Sequence, residues 1–192
     1  AYDIRSRYTP QVKDQANTGG CWAFSTTTVL ETIMNIKYGE NYLFSTRHIE
    51  YASTRGFSNG MVNEYGYNRP PGTGGDYQMA ASYLANGRGP VLESAMPFEN
   101  NQDVINISQI NKPVLFDVNN IALDIGTGGV ACTAAERNKI KEYVYNYGAV
   151  AASTYMKISN DYYNSSTGAY FYNGKEPINH AITIIGWDDN YS

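Results

Sequence analysis

Residues 21–38 read as a helix that cannot hold itself together. Apolar residues recur at Trp22, Val29, Leu30, Ile33 and Met34, a helical spacing. Yet Thr26, Thr27, Thr28 and Val29 carry branched side chains that lose rotamer freedom in a helix. Such a helix forms only where it is buried. The rest of the chain must therefore be built around it, with its apolar stripe as core. Gly39 supplies a C-terminal stop.

The helix begins at a chemically pointed place. Gln15-Ala16-Asn17-Thr18-Gly19-Gly20 leads into Cys21-Trp22-Ala23-Phe24. Two glycines let the backbone turn sharply and let another chain come close. Cys21 falls in the first helical turn, where free N–H groups and the helix dipole favour a negative charge. The thiolate is such a charge and is the nucleophilic form of cysteine. Gln15 offers a side-chain N–H that can fold back to the same point. By itself, a cysteine beside a tryptophan is more often a small buried hydrophobe. The whole stretch is more telling. It resembles the nucleophile segment of the papain-like (C1A) cysteine peptidases, with Gln six residues before a Cys followed by Trp-Ala-Phe-Ser. One departure is plain: that family has a disulfide-bonded Cys three residues before the nucleophile, and here Thr18 stands there.

A second stretch carries the same resemblance. Asn179-His180-Ala181-Ile182-Thr183-Ile184-Ile185-Gly186-Trp187 matches the family's strand that opens with the catalytic His. Alone, a histidine at a strand end is usually just that. Together, a Cys and a His from separate parts of the fold make a nucleophile and its base. The resemblance implies Cys21 as nucleophile, His180 as acid and base, and Gln15 as oxyanion donor. It implies a substrate cleft at Gly19, Gly20, Gly74, Gly75, Tyr77, Ser153, Asn179 and Ala181. Gly74-Gly75 is expected to carry a peptide main chain, with any side chain there blocking the cleft. Tyr77, Ser153 and Ala181 are expected near the pocket for the second substrate residue.

Read in order, residues 1–14 look extended, with Val12 on an edge or surface strand. A second helix starts after Ser45, a good N-cap, and His48 is expected as a polar residue on its surface. A long loop at 53–75 precedes a helix from Asp76 to Asn86. Val114–Val118 is expected as a strand and Gly126–Gly129 as a loop. Thr133-Ala134-Ala135-Glu136 is a capping box for a helix ending at Gly148. Strand-like runs follow at 149–156, 168–173 and 180–187. The expected fold class is α+β, a two-lobed papain-like fold with the active-site cleft between the lobes. The helical lobe covers about 16–105, and the β-barrel-like lobe about 106–192 together with 1–12.

Composition narrows the function. At 192 residues the chain can form one large domain or two small lobes. A net charge of −4 with scattered basic residues points away from nucleic acid. No apolar run approaches the ~18 residues of a membrane span. Two cysteines allow at most one disulfide, which suits a bacterial member of the family, secreted or on the cell surface. If Cys21 is the nucleophile, Cys132 is left unpaired. The opening Ala1-Tyr2-Asp3 reads as a processed start, and an inhibitory prosegment is an expected partner beside a protein or peptide substrate. No cofactor or metal is expected; Asp188-Asp189-Asn190 reads as an acidic turn before a cation site. The family's Asn-Ser-Trp segment, whose Asn orients the imidazole, is not found after His180, and Asn164, Asn173 and Asn179 do not match it. The closing strands are expected to be missing from this stretch. Cysteine endopeptidase is the leading reading. The rivals are a catalytically silent papain-fold module binding peptide or cell-wall ligands, and an amidase or transferase using the same pair.

Overall fold

A computed structural model describes residues 1–57, 60–100, 105–123, 132–159 and 161–191. Helix α1 spans Cys21–Tyr38 and ends on Gly39 at φ 71°. Helix α2 spans Thr46–Ala52, with the Ser45 hydroxyl accepting from the His48 N–H. Helix α3 spans Tyr77–Ala85, capped by the Asp76 carboxylate on the Met79 N–H. Helix α4 spans Ala134–Tyr147 behind the expected capping box, and Gly148 at φ 98° ends it. Strand β1 is Tyr2–Asp3, β2 Val150–Thr154, β3 Tyr163–Asn164, β4 Ala169–Tyr170, β5 His180–Ile184 and β6 Gly186–Trp187. Among the described residues these form antiparallel pairs β1–β6, β2–β5 and β3–β4. In the second of these Val150 faces Ile184 and Thr154 faces His180.

The core sits where α1, α2 and α3 meet. Trp22, Ala23, Ile49, Tyr51, Ala80, Tyr83 and Leu84 are buried in one cluster, and Ala181 of β5 packs against it. Of the expected apolar stripe, helix α1 fully buries Trp22 alone. Val29, Leu30, Ile33 and Met34 are only half-buried, whereas Ser25, Thr26, Thr27, Glu31 and Thr32 are buried. The polar atoms explain it. Thr26, Thr27, Thr28 and Thr32 return their hydroxyls to carbonyls one turn back, at 2.7–3.0 Å. Glu31 accepts from Lys13 Nζ at 2.6 Å and from the Phe44 N–H at 2.8 Å. Burial pushes the Glu31 carboxyl up, against the pull of Lys13.

Three further expectations are corrected. Residues 1–14 contain only the short β1, followed by a 3-10 turn at Ile4–Ser6, and Val12 is exposed outside any strand. Residues 114–118 are not a strand; Leu115 donates one backbone bond to Pro90, without a ladder to extend it. The expected loop at 126–129 lies outside the described residues. His48 is not on the surface but 1% exposed. Its Nε2–H donates to the Ile110 carbonyl at 2.8 Å, and its Nδ1 accepts from the Tyr83 hydroxyl at 2.7 Å. Burial lowers its pKa from 6.5 to about 4, with the Ile110 bond opposing and Arg88 and Lys112 assisting.

That burial has a pH consequence. Between about pH 6.5 and pH 4 the unfolded chain binds a proton at His48 that the folded chain does not. Stability therefore falls as pH drops through this window, by about 2 kcal/mol at pH 4.5 from this group. In urea unfolding at pH 7 and pH 4.5, the gap between wild type and His48→Gln should narrow on acidification. An unchanged gap would show that His48 takes no part.

Candidate active site

Cys21 occupies the first position of α1, with Gly20 as N-cap. The glycines before it are demanded by crowding. A Cβ on Gly19 would lie 2.6 Å from the Gly74 nitrogen, and one on Gly20 would overlap the Glu50 carboxylate. The Gly19 N–H donates to the Gly72 carbonyl at 2.7 Å. Thr18, in place of the family's cysteine, is buried and donates its hydroxyl to the Gln15 carbonyl at 2.9 Å. Hydrogen bonds thus do the tying at this junction. Gln15 turns its Nε2 to the Thr18 carbonyl at 2.8 Å. That uses one of two amide hydrogens and leaves the second to offer.

Helix α1 and strand β5 run side by side in the same direction. Ser25, one turn after Cys21, donates its hydroxyl to the Ile182 carbonyl at 2.7 Å and accepts from the Thr183 hydroxyl at 3.0 Å. Further along, Gly148 lies against Thr32 and Ile36 of α1, and the strand it leads into pairs Val150 with Ile184. Cys21 and His180 therefore open the two elements at the same end. His180 is half-buried there.

Tyr77 joins the same place from α3. Its hydroxyl donates to the Ala152 carbonyl at 2.8 Å and lies 3.1 Å from Ser25 Oγ. Burial pushes that hydroxyl up to about 12; its hydrogen bonds pull it down, and Cys21 adds a smaller upward push. Ser153 and Ala181 face each other across β2 and β5, beside the two carbonyls at Tyr77. The structure thus gathers Tyr77, Ser153 and Ala181 into one patch. Asn179 is exposed, and its amide is engaged: Oδ1 accepts from the Met156 N–H at 2.7 Å and Nδ2 donates to the Met156 carbonyl at 3.1 Å. Asn164 is likewise spent, accepting from the Ser166 and Thr167 N–H groups in a turn.

The glycine pair divides. A Cβ on Gly74 would meet open space, whereas one on Gly75 would lie 2.5 Å from the Trp22 ring. A side chain at 75 therefore drives into the core and not, as expected, into a cleft. Two contributors went unnoticed in the sequence, Ser25 and the buried Glu50 beneath Gly20. An acidic residue among the apolar positions of α2 was the available signal for Glu50. Both cysteines are free, and Cys132 is exposed. Among the described residues no group of His, Cys, Asp or Glu could hold a metal ion, and Asp189 is paired with Lys141.

A family model described as papain family cysteine protease matches residues 1–192. Pro-cathepsin H of Medicago truncatula is 26% identical over 181 residues, covering 92% of this chain and 45% of that protein. Digestive cysteine proteinase 3 of Homarus americanus is 28% identical over 180 residues, covering 92% of this chain and 48% of that protein. The crystal structure of the cysteine protease and lectin-like domains of Cwp84, a surface layer associated protein of Clostridium difficile, superposes with a TM-score of 0.76. It is 27% identical, with 98% of this chain and 38% of that one covered. The chain thus spans about half the length of the curated relatives it matches, and its fold is the α+β papain-like fold.

The glycine geometry yields a stability test. Gly75→Ala should lower the melting temperature by several degrees, the effect of about 1–3 kcal/mol of overpacking. Gly74→Ala should melt close to wild type. Equal melting points for the two variants would mean that the Trp22 contact is not tight.

Proposed function

The chain belongs to the papain family of cysteine proteases, and from that premise we propose that it is an endopeptidase acting through Cys21 and His180. The parallel run of α1 and β5 away from these two residues carries the reading. His180 takes the thiol proton, and the Cys21 thiolate attacks the peptide carbonyl carbon. The oxyanion accepts hydrogen bonds from the free Gln15 N–H and the Cys21 backbone N–H, worth on the order of 3 kcal/mol per donor. The protonated imidazole gives its proton to the leaving amine, and an acyl-enzyme remains. A water activated by His180 hydrolyses it and restores the pair.

The substrate is an extended protein segment lying along Gly74 and Gly75, with its second side chain toward Tyr77, Ser153 and Ala181. Gly74 supports this, being open to solvent with room above it. Residues 16–105 form the helical lobe, and 106–192 with 1–12 the β lobe. The β1–β6 pairing and the bond from the Ile4 N–H to the Ile185 carbonyl support the attachment of the N-terminal residues to the second lobe. A secreted or bacterial cell-surface setting rests on the surface-layer neighbour, and regulation by a prosegment on the pro-form among the relatives.

Cys21→Ala should abolish peptide hydrolysis while leaving the circular dichroism spectrum and melting point intact. Iodoacetamide should modify Cys21 well ahead of the more exposed Cys132, as read by peptide mapping. Slow, equal labelling would remove Cys21 as nucleophile. Gln15→Ala should lower kcat by roughly 100-fold with KM nearly unchanged. A rise in KM alone would make Gln15 a ground-state contact.

A further inference from the structure

Glu50 is 3% exposed, and its Oε1 has no hydrogen-bond partner among the described residues. The carboxylate lies directly under Gly20, the residue before Cys21, and accepts from the Gly72 N–H. Above it runs the long loop that ends in Gly74 and Gly75. Arg69, in that loop, aims its guanidinium back along it. The group donates to the Thr73 carbonyl, to the Gly74 carbonyl at 3.2 Å and to the Glu50 main-chain carbonyl at 3.3 Å. It also stands 5.2 Å over the Trp22 ring, on which Gly75 rests. These contacts join the loop of the nucleophile to the loop of the glycines.

We propose that Glu50 and Arg69 are positioning residues, a buried carboxylate and a half-buried guanidinium that hold segment 72–75 against the nucleophile loop in the arrangement peptide substrates need. The proposal rests on the endopeptidase reading and adds a control to it. The carboxylate holds the Gly72 N–H, and the guanidinium holds the Thr73 and Gly74 carbonyls, so the pair acts on the segment through its backbone. The charged groups reaching Glu50 are Arg69 from the loop and Arg47 from its own helix, and from the nucleophile loop Gly20 lies against its carboxylate. Asp76 is the further acid facing Arg69. Burial raises the Glu50 carboxyl to about 7, with Arg69, the Gly72 N–H and Arg47 opposing the rise.

The direction follows. Above about pH 7 the ionised carboxylate holds the Gly72 N–H by a charge-assisted bond and balances Arg69. Below it, protonation weakens that bond and leaves Arg69 with Asp76 as its remaining counter-charge, so the segment loosens. Peptide binding should therefore worsen as pH falls through about 7, while reactions of Cys21 that need no peptide cradle should not share the change.

The test compares two reagents on Cys21 in the whole chain. A peptidyl chloromethyl ketone needs the glycine segment; iodoacetamide does not. The ratio of their second-order rate constants reports the cradle without requiring turnover. Wild type should show a ratio that falls by about tenfold from pH 8 to pH 6. Glu50→Gln and Arg69→Gln should show the low ratio at both pH values, with iodoacetamide rates like wild type. A Glu50→Gln protein with the wild-type ratio and pH dependence overturns the proposal. If the variants do not fold, a wild-type ratio constant from pH 8 to pH 6 overturns it alone. If neither reagent prefers Cys21 to Cys132, it is the endopeptidase reading that fails.

Discussion

The hydroxyl of Ser25 is the contact through which the two halves of the candidate site are held to one another. It donates to the Ile182 carbonyl, accepts from Thr183, and has the Tyr77 hydroxyl beside it. A hydroxyl is short, so a helix and a strand joined through it must lie close. Cys21 sits one helical turn before the contact and His180 two strand residues before it. Their separation is set by this single register. Tyr77 braces the arrangement from α3 by its bond to Ala152 of β2, and so ties four elements into one corner.

Around that corner the fold buries polar groups that satisfy one another. The α1 threonines bond their own helix, Glu31 takes Lys13 and the Phe44 N–H, and His48 spans Tyr83 and Ile110. Each of these groups would be costly to bury alone, and pairing offsets that cost, only in part for Glu31, whose Oε2 has no partner among the described residues. The same economy appears at the junction of the nucleophile loop and the glycine segment. There the Thr18 hydroxyl donates to the Gln15 carbonyl and the Gly19 N–H to the Gly72 carbonyl. Contact this close, with the Gly74 backbone at 19 and the Glu50 carboxylate at 20, tolerates no Cβ, which is why glycines stand there.

Local signals were legible in the residues. The ends of α1, α2, α3 and α4 follow from Gly39, Ser45, Asp76 and the Thr133–Glu136 box, because a cap is chemistry between near neighbours. The Cys21 and His180 stretches were legible too, since each carries its own run of characteristic residues. Burial was less so. Counting apolar residues on α1 found Trp22 but missed the buried threonines, because a threonine that returns its hydroxyl to the helix is as buriable as a valine. His48 and Glu50 were misplaced or overlooked for the same reason: their partners lie far away in sequence.

The order and type of residues alone determined the helices, their caps, the cysteine at a helix start and the histidine at a strand start. Tertiary structure alone decided which way each side chain faces. Gly74 and Gly75 are adjacent and identical in the sequence, yet one opens to solvent and the other rests on Trp22. Asn179 looks like a cleft residue in the sequence, yet its amide closes on Met156. Capping and periodicity are settled within a few residues of chain. The direction of a Cβ and the partner of a buried charge depend on elements that meet only after the chain has folded back on itself.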